Sequence, residues 1–108
     1  NAGQAVVVLN GNILAIEDQN GTDSMLERVK KIIKKIPKKK KRDGVLVKFP
    51  KSNQDLKIDL PTIGINTINK CCKIGLSGIA LKANQSIFLD KPKSITLSNK
   101  HKMFICAI

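Results

Sequence analysis

The residues with the most chemistry in them run from Lys48 to Gly64, in the order Lys-Phe-Pro-Lys-Ser-Asn-Gln-Asp-Leu-Lys-Ile-Asp-Leu-Pro-Thr-Ile-Gly. Two carboxylates, Asp55 and Asp59, stand among Lys48, Lys51, Lys57, Gln54 and Thr62. Taken two at a time as in a strand, Asp55, Lys57 and Asp59 face one way and the apolar Leu56, Ile58 and Leu60 the other. A row of acid, base and acid on an apolar anchor suits a metal ion beside a phosphate. The same pattern also describes a polar surface strand with solvated charges.

Distance limits the metal reading. In a straight strand Asp55 and Asp59 would lie ~13 Å apart, too far to share one ion. A helical turn would bring them within about 6 Å along the axis. Either the segment bends or only one of the pair is a direct ligand. Pro61 pushes Leu60 towards extended backbone, which makes Asp59 the structural member and Asp55 the first choice for chemistry.

These residues need a scaffold. The apolar run ending in Val45-Leu46-Val47 reads as a buried strand over Gly44–Phe49 that delivers the motif. Upstream, Ala5–Leu9 and Ile13–Glu17 read as a hairpin around Asn10-Gly11-Asn12, because Asn-Gly tolerates positive φ. A polar turn follows, then a helix carrying Met25, Leu26, Val29, Ile32, Ile33 and Ile36 at helical spacing, which Pro37 should stop. Thr22 and Asp23 fall at its start, where backbone N–H groups favour an anion. Past the motif, Asn66 is placed to cap a second helix that buries Ile68, Cys71 and Cys72 and stops at Gly75. Ile79–Leu81 and Ile87–Leu89 read as short strands around a turn at Asn84-Gln85. A weak helix or loop follows Pro92, and Met103–Ile108 closes as a strand. The expected fold class is α/β: a single compact domain with a mixed β-sheet flanked by helices.

A chain of 108 residues suffices for one core but not two. It opens on Asn rather than Met, with a strand close behind, so the expectation is a piece of a longer protein. The net charge of +12, from 20 Lys and Arg against 8 Asp and Glu, favours anionic partners. Part of that excess is compositional, since Lys, Ile and Asn are abundant throughout. The run Lys38-Lys39-Lys40-Lys41-Arg42 reads as a solvated loop able to meet an anionic membrane surface. Nucleic acid is not expected as a partner, for Trp and Tyr are absent and the 3 Phe are scattered. Cys71, Cys72 and Cys106 lack zinc spacing and read as small core residues in a reducing compartment. His101, the one histidine, sits among lysines and makes a poor catalytic dyad. No phosphate-binding glycine loop or H-E-x-x-H motif is present. Carboxylate and lysine chemistry remains, and such hard oxygen ligands suit Mg²⁺.

The runs Gly3-Gln4-Ala5-Val6-Val7-Val8, Leu14-Ala15-Ile16-Glu17, Gly21-Thr22-Asp23 and Gly75-x-x-Gly78-Ile79-Ala80, together with the Lys48–Gly64 motif, resemble the UDP-2,3-diacylglucosamine pyrophosphatases of the lipid A pathway. This is the type unrelated to the calcineurin-like enzymes. The likeness covers nearly the whole chain and corresponds to the C-terminal domain of a two-domain enzyme, with residues 1–108 as that single domain. The resemblance implies Mg²⁺-dependent hydrolysis of UDP-2,3-diacylglucosamine to UMP and 2,3-diacylglucosamine 1-phosphate, in the cytoplasm with peripheral contact to the anionic inner membrane. It implies catalytic roles for Asp55 and then Asp59, with Asp23 joining them at the metal. Lys48, Lys51, Gln54, Lys57, Thr62 and Thr22 are the expected substrate contacts. Asn20 stands where the family usually has Glu, and Lys57 where Arg is common, which removes a bidentate phosphate contact. The protein's own N-terminal domain is expected to form the other wall of the site, leaving this piece alone close to inactive. The rival class is a non-catalytic module that binds an acidic lipid or a nucleotide.

Overall fold

The computed structural model describes residues 3–37, 41–50, 62–82 and 87–108. The first hairpin pairs β1 (Gly3–Leu9) with β2 (Asn12–Ile16). Leu9 opposes Asn12, leaving Asn10 at φ 51° and Gly11 at φ 78° as a two-residue loop. Positive φ at both positions is what a type I′ turn requires, and its twist matches that of the strands it joins. The register then slips by one residue between Val7 and Val8, so that Leu14 is extra in β2. This bulge decides which residues share a face. Ile16 opposes Val6 and Ile13 opposes Val8, so both isoleucines lie on the same face although they are three apart in sequence.

The crossover helix α1 (Gly21–Lys34) buries Met25, Leu26 and Val29. It ends three residues before Pro37, the expected stop. The chain then enters β3 (Val45–Pro50), which runs antiparallel to β1. Two residues, β4 (Thr62–Ile63), precede α2 (Ile65–Ile74). Asn66 is not the cap of α2. Gly64 holds that position in extended backbone, and its carbonyl accepts from the Ile68 N–H at 3.2 Å. Gly75 does end the helix, at φ 94°.

Beyond it, β5 (Gly78–Leu81) lies parallel to β3. The expected hairpin between β5 and the next strand is not formed. Instead β6 (Ile87–Phe88) pairs in parallel with β4 as a separate two-stranded sheet. Residues 83–86, where the turn at Asn84-Gln85 was expected, lie outside the described residues. The chain ends with α3 (Lys91–Lys100) and β7 (Phe104–Ala107), which is parallel to β5. The main sheet is mixed, in the order β2-β1-β3-β5-β7.

One face of this sheet carries the core. Ala5, Val7, Leu46, Ile79 and Leu81 meet Met25, Leu26, Val29, Ile68 and Cys71 from the helices. The helices form one layer, in which α2 packs against both α1 and α3. On the other face Ile13 and Ile16 are exposed, and Phe104 lays its ring across Gly78. A Cβ on Gly78 would overlap that ring. Because Phe104 is 45% exposed, the ring can swing into water, forfeiting its packing on the sheet. Gly78→Ala should therefore lower stability by roughly 1–2 kcal/mol in urea denaturation. With Phe104→Ala already in place, the same change should cost much less.

β1 and β3 pair from Gly3 opposite Pro50, so the start of β1 and the end of β3 share one edge of the sheet. Lys48, Leu81 and Ala107 are register partners near that edge, so β7 finishes there too.

Candidate functional site

Lys48 is the last residue of β3 but two, and it points to the same face as Leu46, beneath the helix layer. Its Nζ donates to Thr22 Oγ1 at 3.1 Å. Thr22, in the first turn of α1, donates its own hydroxyl proton to Glu17 Oε1. Glu17 follows β2 directly, and its N–H donates to the Ala5 carbonyl at 2.8 Å. Alternation continues through that bond, so with Ile16 outward Glu17 turns inward. The turn into α1 depends on Asp18, whose carboxylate accepts from the Asn20 N–H at 2.9 Å, and on Gly21 at φ 92°. No side chain of ordinary residues adopts that φ cheaply, so Gly21 sets where Thr22 lands.

Asp23 stands beside Thr22 and ties α1 to α2 by accepting from Thr67 Oγ1 at 3.3 Å. It also opens a polar groove of about 370 Å³ between the two helices, in which Lys70 pairs with Glu27 at 3.9 Å and Lys30 and Lys73 add positive charge. Burial holds Lys48 below the ordinary lysine pKa, while the negative charges of Glu17 and Asp23 pull the other way. The arrangement is therefore a half-buried cation, fixed at one N–H, at the point where the chain leaves for the Asp55 motif.

Of the expected site residues, Thr22, Lys48 and Asp23 come together. Thr62 stands exposed at the start of β4, in the smaller sheet. Lys51, Gln54, Asp55, Lys57 and Asp59 lie outside the described residues. Glu17 and Thr67 are additions. Glu17 was visible as a strand-end carboxylate, but its inward turn depends on the register that the bulge sets. Thr67 carried no signal.

A magnesium ion asks for oxygen ligands, and the described residues alone do not fit it. No group of three His, Cys, Asp or Glu that could hold a metal occurs among them. Asp23 offers one carboxylate, and Glu17 is turned to a hydroxyl beside an ammonium that repels a cation. No step is derived through the ion.

Two expectations for other residues change. Cys106 is exposed on β7 and is not a core residue, because it faces the side of the sheet opposite the helices. Arg42 is not merely solvated: its guanidinium donates to the Leu76 carbonyl at 3.2 Å and closes the end of α2 against the start of β3. By contrast Cys71 is buried, and desolvation pushes its thiol up to about 12. A short iodoacetamide pulse on the native protein near pH 8 should thus label Cys106 and spare Cys71 and Cys72, read by peptide mass. Equal labelling of all three would contradict the packing of α2.

A family model described as the LpxI C-terminal domain matches residues 1–106. The chain belongs to that family. It is also 38% identical over 107 residues to the UDP-2,3-diacylglucosamine pyrophosphatase LpxI of Caulobacter vibrioides. That match takes in 98% of this chain but 38% of the relative, so the chain spans well under half the relative's length. The resemblance drawn from the Lys48–Gly64 motif and the glycine-bearing strand ends is thereby borne out at the level of the family. Within this LpxI C-terminal domain, the Lys48–Thr22–Glu17 constellation lies at the strand ends that lead into the Lys48–Gly64 motif.

Proposed function

We propose that this domain supplies the phosphate-handling wall of an enzyme that hydrolyses UDP-2,3-diacylglucosamine in lipid A biosynthesis. Water adds across the pyrophosphate, one P–O bond breaks, and UMP and 2,3-diacylglucosamine 1-phosphate leave. The observation that carries this reading is Lys48. Its ammonium is half-buried and spends one N–H on Thr22, leaving two donors for phosphate oxygens. A cation withdrawn from water acts more strongly on charge that develops during phosphoryl transfer. Asp55 supplies the essential carboxylate, and Asp59 holds the loop. Lys51, Gln54, Lys57 and Thr62 complete the substrate contacts. Magnesium belongs to the same reading: Asp55 would be its direct ligand, with Asp59 and Asp23 as the other carboxylates within the motif and the first turn of α1.

The domain works as one part of a longer chain, whose N-terminal domain faces the site across a shared cleft. A substrate with two acyl chains, a sugar and a nucleotide needs more wall than these residues offer. Among the described residues no helix is long and apolar enough to cross a membrane. The run Lys38–Arg42, of which residues 38–40 lie outside the described residues, would meet the anionic inner-membrane surface, with the exposed Lys31, Lys34 and Lys35 at the end of α1 beside it in the sequence.

The test is UMP release from UDP-2,3-diacylglucosamine by the two-domain protein and by this chain alone, with Mg²⁺ and with excess EDTA. Turnover by the longer protein, lost in EDTA and near background for this chain, is the expected result. Binding of the nucleotide without turnover under any condition would make the protein an anion-binding module instead.

A further inference from the structure

Three side chains meet at Lys48, and their chemistry permits one order of hydrogen bonding. An ammonium only donates, a carboxylate only accepts, and a hydroxyl does both. Thr22 therefore stands between the charges, accepting from Lys48 at 3.1 Å and donating to Glu17. We propose that Glu17 is a positioning residue: by holding the Thr22 proton it turns that oxygen's lone pairs to Lys48 and so fixes the direction of the ammonium. This role rests on the pyrophosphatase reading above.

The alternative arrangement shows why a hydroxyl is useful there. A direct Glu17–Lys48 ion pair would engage the ammonium with a carboxylate and offset its charge at contact distance. With Thr22 interposed, Glu17 helps keep Lys48 protonated despite burial, yet stands one group further from any bound phosphate. Among the described residues, the charged or titratable groups facing Lys48 are Glu17 after β2, Asp23 from α1 and Cys71 from α2. Cys71 stays a thiol. Asp23 is turned to Thr67. Glu17 is thus the carboxylate linked to Lys48 through an observed chain of bonds. Each end of that chain is fixed by the backbone, Glu17 by its N–H on Ala5 and Thr22 by the turn at Gly21.

The experiment follows the lysine ammonium directly, by proton–nitrogen correlation of side-chain NH₃⁺ groups. A cross-peak protected from exchange, assigned to Lys48 by its loss in Lys48→Met, is expected in the native protein. It should persist in Thr22→Ser and in Glu17→Gln, whose amide oxygen still accepts. Thr22→Val and Glu17→Ala should each lose it, breaking the same link from opposite sides. In the longer enzyme, Glu17→Ala should lower kcat/KM roughly ten- to hundredfold, and Glu17→Gln, whose amide oxygen still accepts, should recover most of that loss. Backbone amide spectra show which variants are folded, and Thr22→Val decides if Glu17→Ala is not. A native protein without a protected Lys48 peak, or a folded Glu17→Ala or Thr22→Val that keeps it unchanged, would overturn the proposal. If the longer protein failed to hydrolyse the sugar nucleotide, the pyrophosphatase reading would fall, and the ammonium spectra would still decide the link.

Discussion

Lys48→Met in the longer protein should, if the proposed function holds, lower kcat/KM for UDP-2,3-diacylglucosamine by about two to three orders of magnitude. The side chain keeps nearly its length but loses the charge proposed to face the pyrophosphate. Stability should change little, because burial already disfavours the ammonium, and an apolar replacement removes that desolvation cost. Thr22 keeps its bond to Glu17, so the substitution orphans no hydroxyl. Lys48→Arg should fail to rescue: a planar guanidinium is broader than an ammonium and meets Thr22 and Glu17 in a different geometry. The native enzyme should also lose turnover on the alkaline side below pH 10.5, since burial brings the Lys48 pKa down from that value and the cation is the active form. Steady-state kinetics across pH, with thermal melts beside them, check both points. A Lys48→Met enzyme within a few-fold of native activity would remove Lys48 from the site.

Asp55→Ala should abolish turnover and leave the melting temperature close to native. Asp55 lies five residues beyond Pro50, where β3 ends. A chain spans at most about 3.6 Å per residue, so Asp55 is tethered within ~18 Å of that point. Lys48 is two residues before it, so the covalent tether allows carboxylate and ammonium to meet a single diphosphate. Losing a catalytic carboxylate costs orders of magnitude in rate, whereas a substitution outside the core costs little stability. Asp59→Ala should lower both rate and melting temperature if it holds the loop. The pair of variants therefore separates a chemical carboxylate from a structural one. Residual turnover above a tenth of native in Asp55→Ala, as an order-of-magnitude bound, would shift the assignment away from it.

Where backbone or periodicity speaks loudly, the fold was legible. Asn10-Gly11 announced its turn because both residues take positive φ, and Met25, Leu26 and Val29 announced α1 because one helical face is buried. By contrast α3 was muted, since it buries Ser94 and Ser98 while Ile95 faces water. Ser98 returns its hydroxyl to the Ser94 carbonyl at 2.8 Å, which lets a polar residue sit inside. A count of apolar residues misses such a helix. The β4–β6 pairing was hidden for another reason: two-residue strands have no period to read.

At the site, Thr22 and Asp23 could be placed from the helix start alone. The burial of Lys48 could not, because lysine on a strand end reads as solvated. What buries it is the approach of the first turn of α1, set by Gly21, and of α2, which contributes Cys71. Glu17 depended on the register of β2, and one extra residue at Leu14 reverses the facing of everything beyond it relative to Ile13. Register of this kind is a pairing property that single-strand alternation does not contain.

The shared edge of the sheet bears on how the protein is handled at the bench. Gly3 lies opposite Pro50, and Ala107 is in register with Leu81 beside Lys48, so the first residue of β1 and the last of β7 both lie near Lys48. A purification tag fused at either of these two points would therefore hang over the region where substrate is proposed to bind. A polyhistidine tag there brings its own metal affinity to the place where magnesium dependence is to be measured. Tags cleaved to a short remnant, or placed within the exposed turn at Asn10-Gly11 on the far edge, keep that region clear.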